Sequence, residues 1–197
     1  MSKCLVLLAK RPRKGKVKTR LSNSIGEDEA FRIYQEILHK TNQTLLKTGV
    51  PVKIFLTGEG EYLPPSSFEI YEQQKGDVGM RMQHAISKAL QTHDQVVLVG
   101  SDIPDLSPGI IAKAFTELEQ KEVVLGPSED GGYYLIGMRK MHASLFQGVT
   151  WSTSSVLTET LRKCAEEELS VSLVDTLNDI DTEADWKAYQ SRKVKEL

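Results

Sequence analysis

Seven basic side chains crowd into eleven residues, Lys10-Arg11-Pro12-Arg13-Lys14-Gly15-Lys16-Val17-Lys18-Thr19-Arg20, with no acid among them. Lysine and arginine complement phosphate oxygens, arginine through its bidentate fork. Gly15 lets backbone approach a ligand closely, and amides at a helix start add fixed positive potential. The stretch reads as a phosphate-binding loop, with Lys10, Lys14, Gly15, Lys18 and Arg20 as candidate contacts. Its self-repulsion calls for an anion to order it. The plain alternative is a solvated basic arm. The Walker A spacing is absent.

Acids follow at two later places. Gly100-Ser101-Asp102-Ile103-Pro104-Asp105 comes directly after the apolar run Val96-Val97-Leu98-Val99. A hard cation such as Mg²⁺ is held by one or two carboxylates plus substrate phosphates, and Asp102 is the first candidate ligand. Asp105, beyond the proline, reads as a turn or capping residue. In Gly126-Pro127-Ser128-Glu129-Asp130-Gly131-Gly132, Asp130 is a candidate second metal ligand or an orienting group for a substrate hydroxyl. Gly131 and Gly132 would bring backbone against the ligand, although Asp-Gly is also a common hairpin turn. Gln73 to Met82 offers amides suited to a nucleobase edge, a helix start at Gly79 that attracts an anion, and the cation Arg81. Asp77 as a simple cap competes with that reading. Trp151 would wall an acceptor or sugar pocket, or serve as packing. Asn178-Asp179-Ile180-Asp181-Thr182 would supply carboxylates or cap the last helix. The four histidines pair with no acid or serine in the pattern, so nucleophilic triad chemistry is not expected.

The elements that must position these residues alternate between short apolar runs and helical periodicity, which predicts a layered α/β sheet. Strands are expected at 3–9, 50–56, 68–71, 96–100, 122–125, 133–137 and 171–174. Helices are expected from a capping box at Ser24-Ile25-Gly26-Glu27 to Gly49, and at 79–90, from Pro108, at 154–168 and at 183–189. In open α/β sheets ligands sit beyond the carboxyl ends of strands, which is where the loops at 10–20, 73–79, 100–105 and 126–132 fall.

The 197 residues suit a single domain over 1–197. Outside residues 10–20 the chain carries 18 basic and 27 acidic side chains, a formal −9. Positive charge is thus confined to one loop, which argues against a nucleic-acid surface and for one compact anionic ligand. No apolar run approaches the ~20 residues of a membrane span, and no signal-peptide pattern opens the chain. Cys4 and Cys164 make no metal or disulfide spacing and read as buried thiols of a cytoplasmic protein.

Lys10-Arg11-Pro12, Gly15-Lys16-Val17-Lys18-Thr19-Arg20-Leu21, Gly76-Asp77-Val78-Gly79-Met80-Arg81-Met82, Gly100 to Pro104, Asp130 to Gly137 and Trp151-Ser152-Thr153 together resemble a bacterial family of small GT-A-fold transferases. These are the radical-SAM/selenodomain-associated, or arsenosugar-biosynthesis-type, glycosyltransferases. The chain is also similar to MobA-like proteins and 2-phospho-L-lactate guanylyltransferases. The resemblance implies a three-layer α/β/α nucleotide-diphospho-sugar transferase fold with a mainly parallel, seven-stranded sheet. Mg²⁺ or Mn²⁺ is expected on Asp102, with Asp130 as a second ligand or positioning the acceptor or donor sugar, and Lys18 is expected beside them in catalysis. Where glycosyltransferases carry Asp-x-Asp, Pro104 replaces the second acid.

Three functions are expected from this. The first is glycosyl transfer from a nucleoside-diphosphate sugar to a small acceptor. The second is nucleotidyl transfer from a nucleoside triphosphate to a phosphorylated small molecule, with Lys14, Lys18 and Arg20 on the phosphates. The third is nucleotide binding without turnover.

Overall fold

The computed structural model describes residues 1–195. Seven strands form one sheet: β1 (Lys3–Lys10), β2 (Val52–Thr57), β3 (Glu69–Glu72), β4 (Gln95–Gly100), β5 (Val123–Pro127), β6 (Tyr133–Met138) and β7 (Val171–Leu173). Their order is β3-β2-β1-β4-β6-β5-β7. Only β6 runs antiparallel, against both β4 and β5. The start of β6 therefore shares an edge with the carboxyl ends of β1, β4 and β5. The sheet is mainly parallel and seven-stranded, as expected.

Strand periodicity sorts the core into two layers. From β1, Leu5, Leu7 and Ala9 face α2 (Glu27–Lys47) and α4 (Pro108–Glu117), while Cys4 and Val6 face α3 (Val78–Leu90) and α5 (Val156–Glu166). Buried Ala30, Ile33, Tyr34, Ile37, Leu38 and Leu45 recur along α2 at helical spacing, and Glu27, Asp28 and Glu29 suit its amino-terminal dipole. Asp77 caps α3 by accepting from the Met80 N–H at 2.8 Å. Ser107 caps α4, with Pro108 in its first turn. Burial pushes the Cys4 and Cys164 thiols up to about 11, so both stay protonated.

One helix start departs from expectation. Ser24 does not cap anything, because it lies inside a separate short helix, α1 (Thr19–Ile25). Gly26, at φ 86°, breaks the path between α1 and α2, a conformation that glycine adopts without strain. Leu21 and Ile25 of α1 pack with Ile33, Ile37, Ile180, Trp186 and Tyr189, the last two from α6 (Glu183–Lys195). That tertiary contact sustains a helix too short to persist alone. A 3₁₀ turn at Ala143–Phe146 was likewise not expected from the pattern. Among the described residues no helix is long and apolar enough to cross a membrane.

Candidate functional site

At the carboxyl edge of β1 and β4, Lys18 meets Asp102. Val17 and Leu21 are buried on either side of Lys18 and anchor its backbone. Lys18 itself is held in the left-handed region at φ 48°, where non-glycine residues are uncommon and costly. Its side chain is 5% exposed and its ammonium stands 2.8 Å from Oδ1 of Asp102. The contact is an ion pair, and the shielded Oδ1 has no other partner. The Tyr34 hydroxyl fixes the end of β1 by accepting from the Lys10 N–H (3.1 Å) and donating to the Lys10 carbonyl (2.7 Å). Burial, reinforced by the Asp102 charge, raises that phenol above its usual range.

Two chambers open from this pair. The larger, about 380 Å³, is lined by Lys10, Lys18, Arg20 and Arg81, with Thr57 and Gln73 among its polar groups. Both Gln73 amide bonds go to backbone: Nε2 donates to the Ala9 carbonyl (3.1 Å) and to the Phe55 carbonyl (2.9 Å). Arg81 Nε donates to the Gly76 carbonyl at 2.9 Å. The smaller chamber, about 180 Å³, is lined by Asp102, Asp130, Asp179, Ser128 and Gly132. Gly100, Asp102, Tyr133 and Tyr134 belong to both. A larger hollow of about 1110 Å³ between α2 and residues 60–65 has one acid, Glu61, and no lysine or arginine. It shares no lining residue with either chamber.

Backbone pairing explains how distant carboxylates converge. The β5–β6 turn delivers Asp130, whose Oδ1 accepts from the Gly132 N–H at 2.9 Å. This is the hairpin turn that the Asp-Gly pair suggested, and it still presents the acid to the chamber. Residues 175–181 run beside it: Leu177 donates to the Pro127 carbonyl (3.1 Å) and Glu129 donates to the Leu177 carbonyl (3.1 Å). Ile180 then donates to the Asp102 carbonyl at 3.2 Å, which sets Asp179 beside Asp102. Burial pushes the Asp179 carboxyl up to about 6, and the charges of Asp130, Asp102 and Asp181 add to it while Lys18 opposes them.

Several expected contacts lie elsewhere. Lys14 pairs with Asp28 at 2.6 Å and lines neither chamber, because its exposed side chain reaches α2 instead. Gly15, at φ 72°, turns the loop against Glu27. Gly79 and Trp151 are packed on one another: a Cβ on Gly79 would lie 2.4 Å from the indole. The indole also meets Tyr133 edge-on, at 6.5 Å between ring centres, so it supports the wall without forming it. Gly131 backs onto the Ser154 carbonyl, 2.2 Å from where a Cβ would sit, and shapes the turn from behind. Asp105 is the turn residue that the sequence suggested, in the turn closed by the Leu106 N–H donating to the Ile103 carbonyl, and it also pairs with Arg192 of α6 at 2.8 Å.

The basic loop also differs from expectation. Arg11 pairs with Glu72, Arg13 with Glu59, Lys14 with Asp28, Lys18 with Asp102 and Arg20 with Asp181. The protein's own acids order it, so no bound anion is required. Ser128 and Asp179 were not singled out in the sequence, although each lies in a segment that was.

Among the described residues, no three carboxylates, imidazoles or thiols form a cluster that would hold a metal by themselves. The shielded Asp102 Oδ1 has no hydrogen-bond partner, and like charges crowd Asp179. The donor set fits a cation held by one or two carboxylates and completed by ligand oxygens.

Residues 40–153, more than half of the chain, match the family profile described as "uncharacterized protein conserved in bacteria (DUF2064)", and the chain belongs to that family. It is similar to a Desulfovibrio desulfuricans G20 protein provisionally assigned as a nucleotide-diphospho-sugar transferase: 35% identity over 92% of this chain and 84% of that one, TM-score 0.86. At fold level it is similar to the inositol-1-phosphate CTP transferase of T. maritima (17% identity, 96% and 94% covered, TM-score 0.59). A comparable likeness is to Rv0371C of Mycobacterium tuberculosis H37Rv in complex with manganese (14% identity, 95% and 97% covered, TM-score 0.61). The first two of these neighbours are described as transferases, and the chain shares the fold of all three. No curated protein matches the chain in sequence.

Proposed function

We propose that the chain is a metal-dependent glycosyltransferase that uses a nucleoside-diphosphate sugar and a small acceptor. The observation that carries this is the Lys18–Asp102 pair at the junction of a cationic chamber and an acidic one. The cationic chamber suits a diphosphate: Lys10, Lys18, Arg20 and Arg81 supply donors, and the neutral polar groups of Thr57 and Gln73 suit a nucleoside. Gln73 donates to two carbonyls, so its own carbonyl oxygen is left for a ligand donor.

Asp102 would hold Mg²⁺ or Mn²⁺ with help from Asp130, a reading that the manganese-bound protein of the same fold supports. A divalent cation there would stabilise charge on a departing diphosphate. Lys18 is placed to follow that charge, because release from Asp102 frees its ammonium for a phosphate oxygen. Arg20 and Arg81 orient the phosphates from the chamber walls. Asp130 and Asp179 accept hydrogen bonds from hydroxyl groups in the smaller chamber.

Nucleotidyl transfer is the second reading. Four cations around one chamber also suit a triphosphate, and the T. maritima neighbour is a CTP transferase. A thermal-shift series with Mg²⁺ or Mn²⁺ separates the two, since a ligand selective for the folded state raises the melting temperature. Glycosyl transfer predicts stabilisation by a nucleoside-diphosphate sugar above its parent diphosphate. Stabilisation by a triphosphate alone would favour nucleotidyl transfer. No shift with either class would leave neither reading standing.

A further inference from the structure

The smaller chamber has one sign of charge. Asp102, Asp130 and Asp179 line it, and no lysine or arginine does. Lys18 reaches it only through its pair with Asp102. Three carboxylates against one ammonium leave a formal −2, which a divalent cation on Asp102 would raise to zero and no further. Nothing in the chamber is left to hold a phosphate monoester, whose oxygens the carboxylates repel. Hydroxyl groups are the complementary chemistry, because an ionised carboxylate accepts strong hydrogen bonds from O–H donors.

Ser128 points the same way independently of the acids. The residue is only 8% exposed. Its N–H donates to the Gly132 carbonyl at 3.0 Å, and its carbonyl accepts from the Gly131 N–H at 3.1 Å. Its hydroxyl, shielded from solvent, has no partner. Buried polar groups are normally satisfied, and one left alone in a chamber wall marks where a ligand group belongs. A hydroxyl both donates and accepts, so it matches another hydroxyl. The volume agrees: a cavity of about 150 Å³ takes one six-membered ring, and this chamber has about 180 Å³.

We propose that the smaller chamber binds a neutral polyhydroxylated ring through Asp130, Asp179 and the Ser128 hydroxyl, and rejects the phosphorylated form of that ring. This rests on the transferase reading above and deepens it, by giving the chemical class of the group handled beside the nucleotide. The same ring chemistry arises from the sugar of a nucleotide donor and from a separate acceptor.

The test is saturation-transfer NMR and calorimetry on the full chain with Mg²⁺. The probes are glucose, galactose and mannose, their 6-phosphates, UDP and GDP, and UDP-glucose, UDP-galactose and GDP-mannose. A neutral ring is expected to bind at least about tenfold more tightly than its 6-phosphate. Ser128→Ala should weaken the ring by about fivefold and leave UDP and GDP affinities unchanged. Binding of a free sugar identifies the ring as an acceptor. A nucleotide sugar that binds more tightly than its nucleotide, with the excess lost in Ser128→Ala, identifies it as the donor's sugar. The double variant Asp130→Asn/Asp179→Asn should erase the preference for the neutral ring.

A 6-phosphate that binds as tightly as its neutral parent, insensitive to Ser128→Ala, overturns the proposal. So does UDP or GDP binding with no gain from any ring. If no nucleotide binds but a neutral ring still does, with Ser128 dependence, the transferase reading falls and this one stands.

Discussion

The two chambers that meet at Asp102 carry opposite charge and balance it differently. In the first loop, which gives Lys10, Lys18 and Arg20 to the cationic one, five of the seven basic residues already have partners, including Glu72, Glu59, Asp28 and Asp181. Most of those pairs lie in solvent, where each contributes little and can be exchanged for a ligand. In the acidic chamber, Asp130 and Asp179 line the wall without a salt bridge among the described residues, and Lys18 is the only cation paired there. Ser128 Oγ is left without a hydrogen-bond partner, and Asp102 Oδ1 has only the Lys18 ammonium. Density of charge in a sequence therefore does not locate the demand for a ligand. Groups that the fold brings together and leaves unpartnered do.

The comparison can be broken most severely at its shared residue. Asp102→Ala should lower metal-dependent nucleotide affinity by about 100-fold while the fold survives, as read by titration calorimetry and circular dichroism. Unchanged metal dependence would remove the junction from the site. Next in size, Lys18→Ala should weaken a nucleoside diphosphate by about tenfold or more, and a monophosphate less, because a charge-assisted bond to the outer phosphate is lost. Equal losses for both ligands would place Lys18 away from the phosphates.

The acidic side is sharpened through pH. The Asp179 carboxyl is raised from 3.8 to about 6, so the folded protein holds that proton more tightly than the unfolded chain. The resulting stability is fully present below about pH 4 and is lost as pH rises through about 6. Asp179→Asn removes the penalty and should stabilise the protein at pH 7.5 by about 1–2 kcal/mol, discounted for partial solvent exposure. Thermal melts across pH 4 to 8 would show the variant flatter than wild type. A variant less stable at every pH would contradict the like-charge account. The smallest effect is expected on the outer loop. Arg13→Ala and Lys14→Ala should each leave the melting temperature nearly unchanged, with nucleotide affinity within about twofold. A large loss of affinity there would mean the loop closes over the ligand.

Much of this architecture was legible in the chain. The apolar runs before Lys10 and before Gly100 and the turn at Asp130-Gly131 locate strands and loops correctly, because alternation and glycine act locally. The α1 helix was not legible. Seven residues with no cap form a helix only because Leu21 and Ile25 pack against α2 and α6. The loop's cations could be counted, but their partners Glu59, Glu72 and Asp181 come from distant segments. Asp179 and Ser128 share this difficulty: the bridge between Ser128 and Leu177 that brings them together is a long-range pairing with no local signature. Trp151 was read by residue type, yet its place was decided by the missing side chain of Gly79.

The most direct measurement is anomalous diffraction from crystals soaked with Mn²⁺ and a nucleoside diphosphate. The account predicts a manganese peak at the Asp102 carboxylate, with the Lys18 ammonium moved from that carboxylate onto a phosphate oxygen. Nucleotide bound with the Lys18–Asp102 pair intact and manganese absent from Asp102 would contradict it.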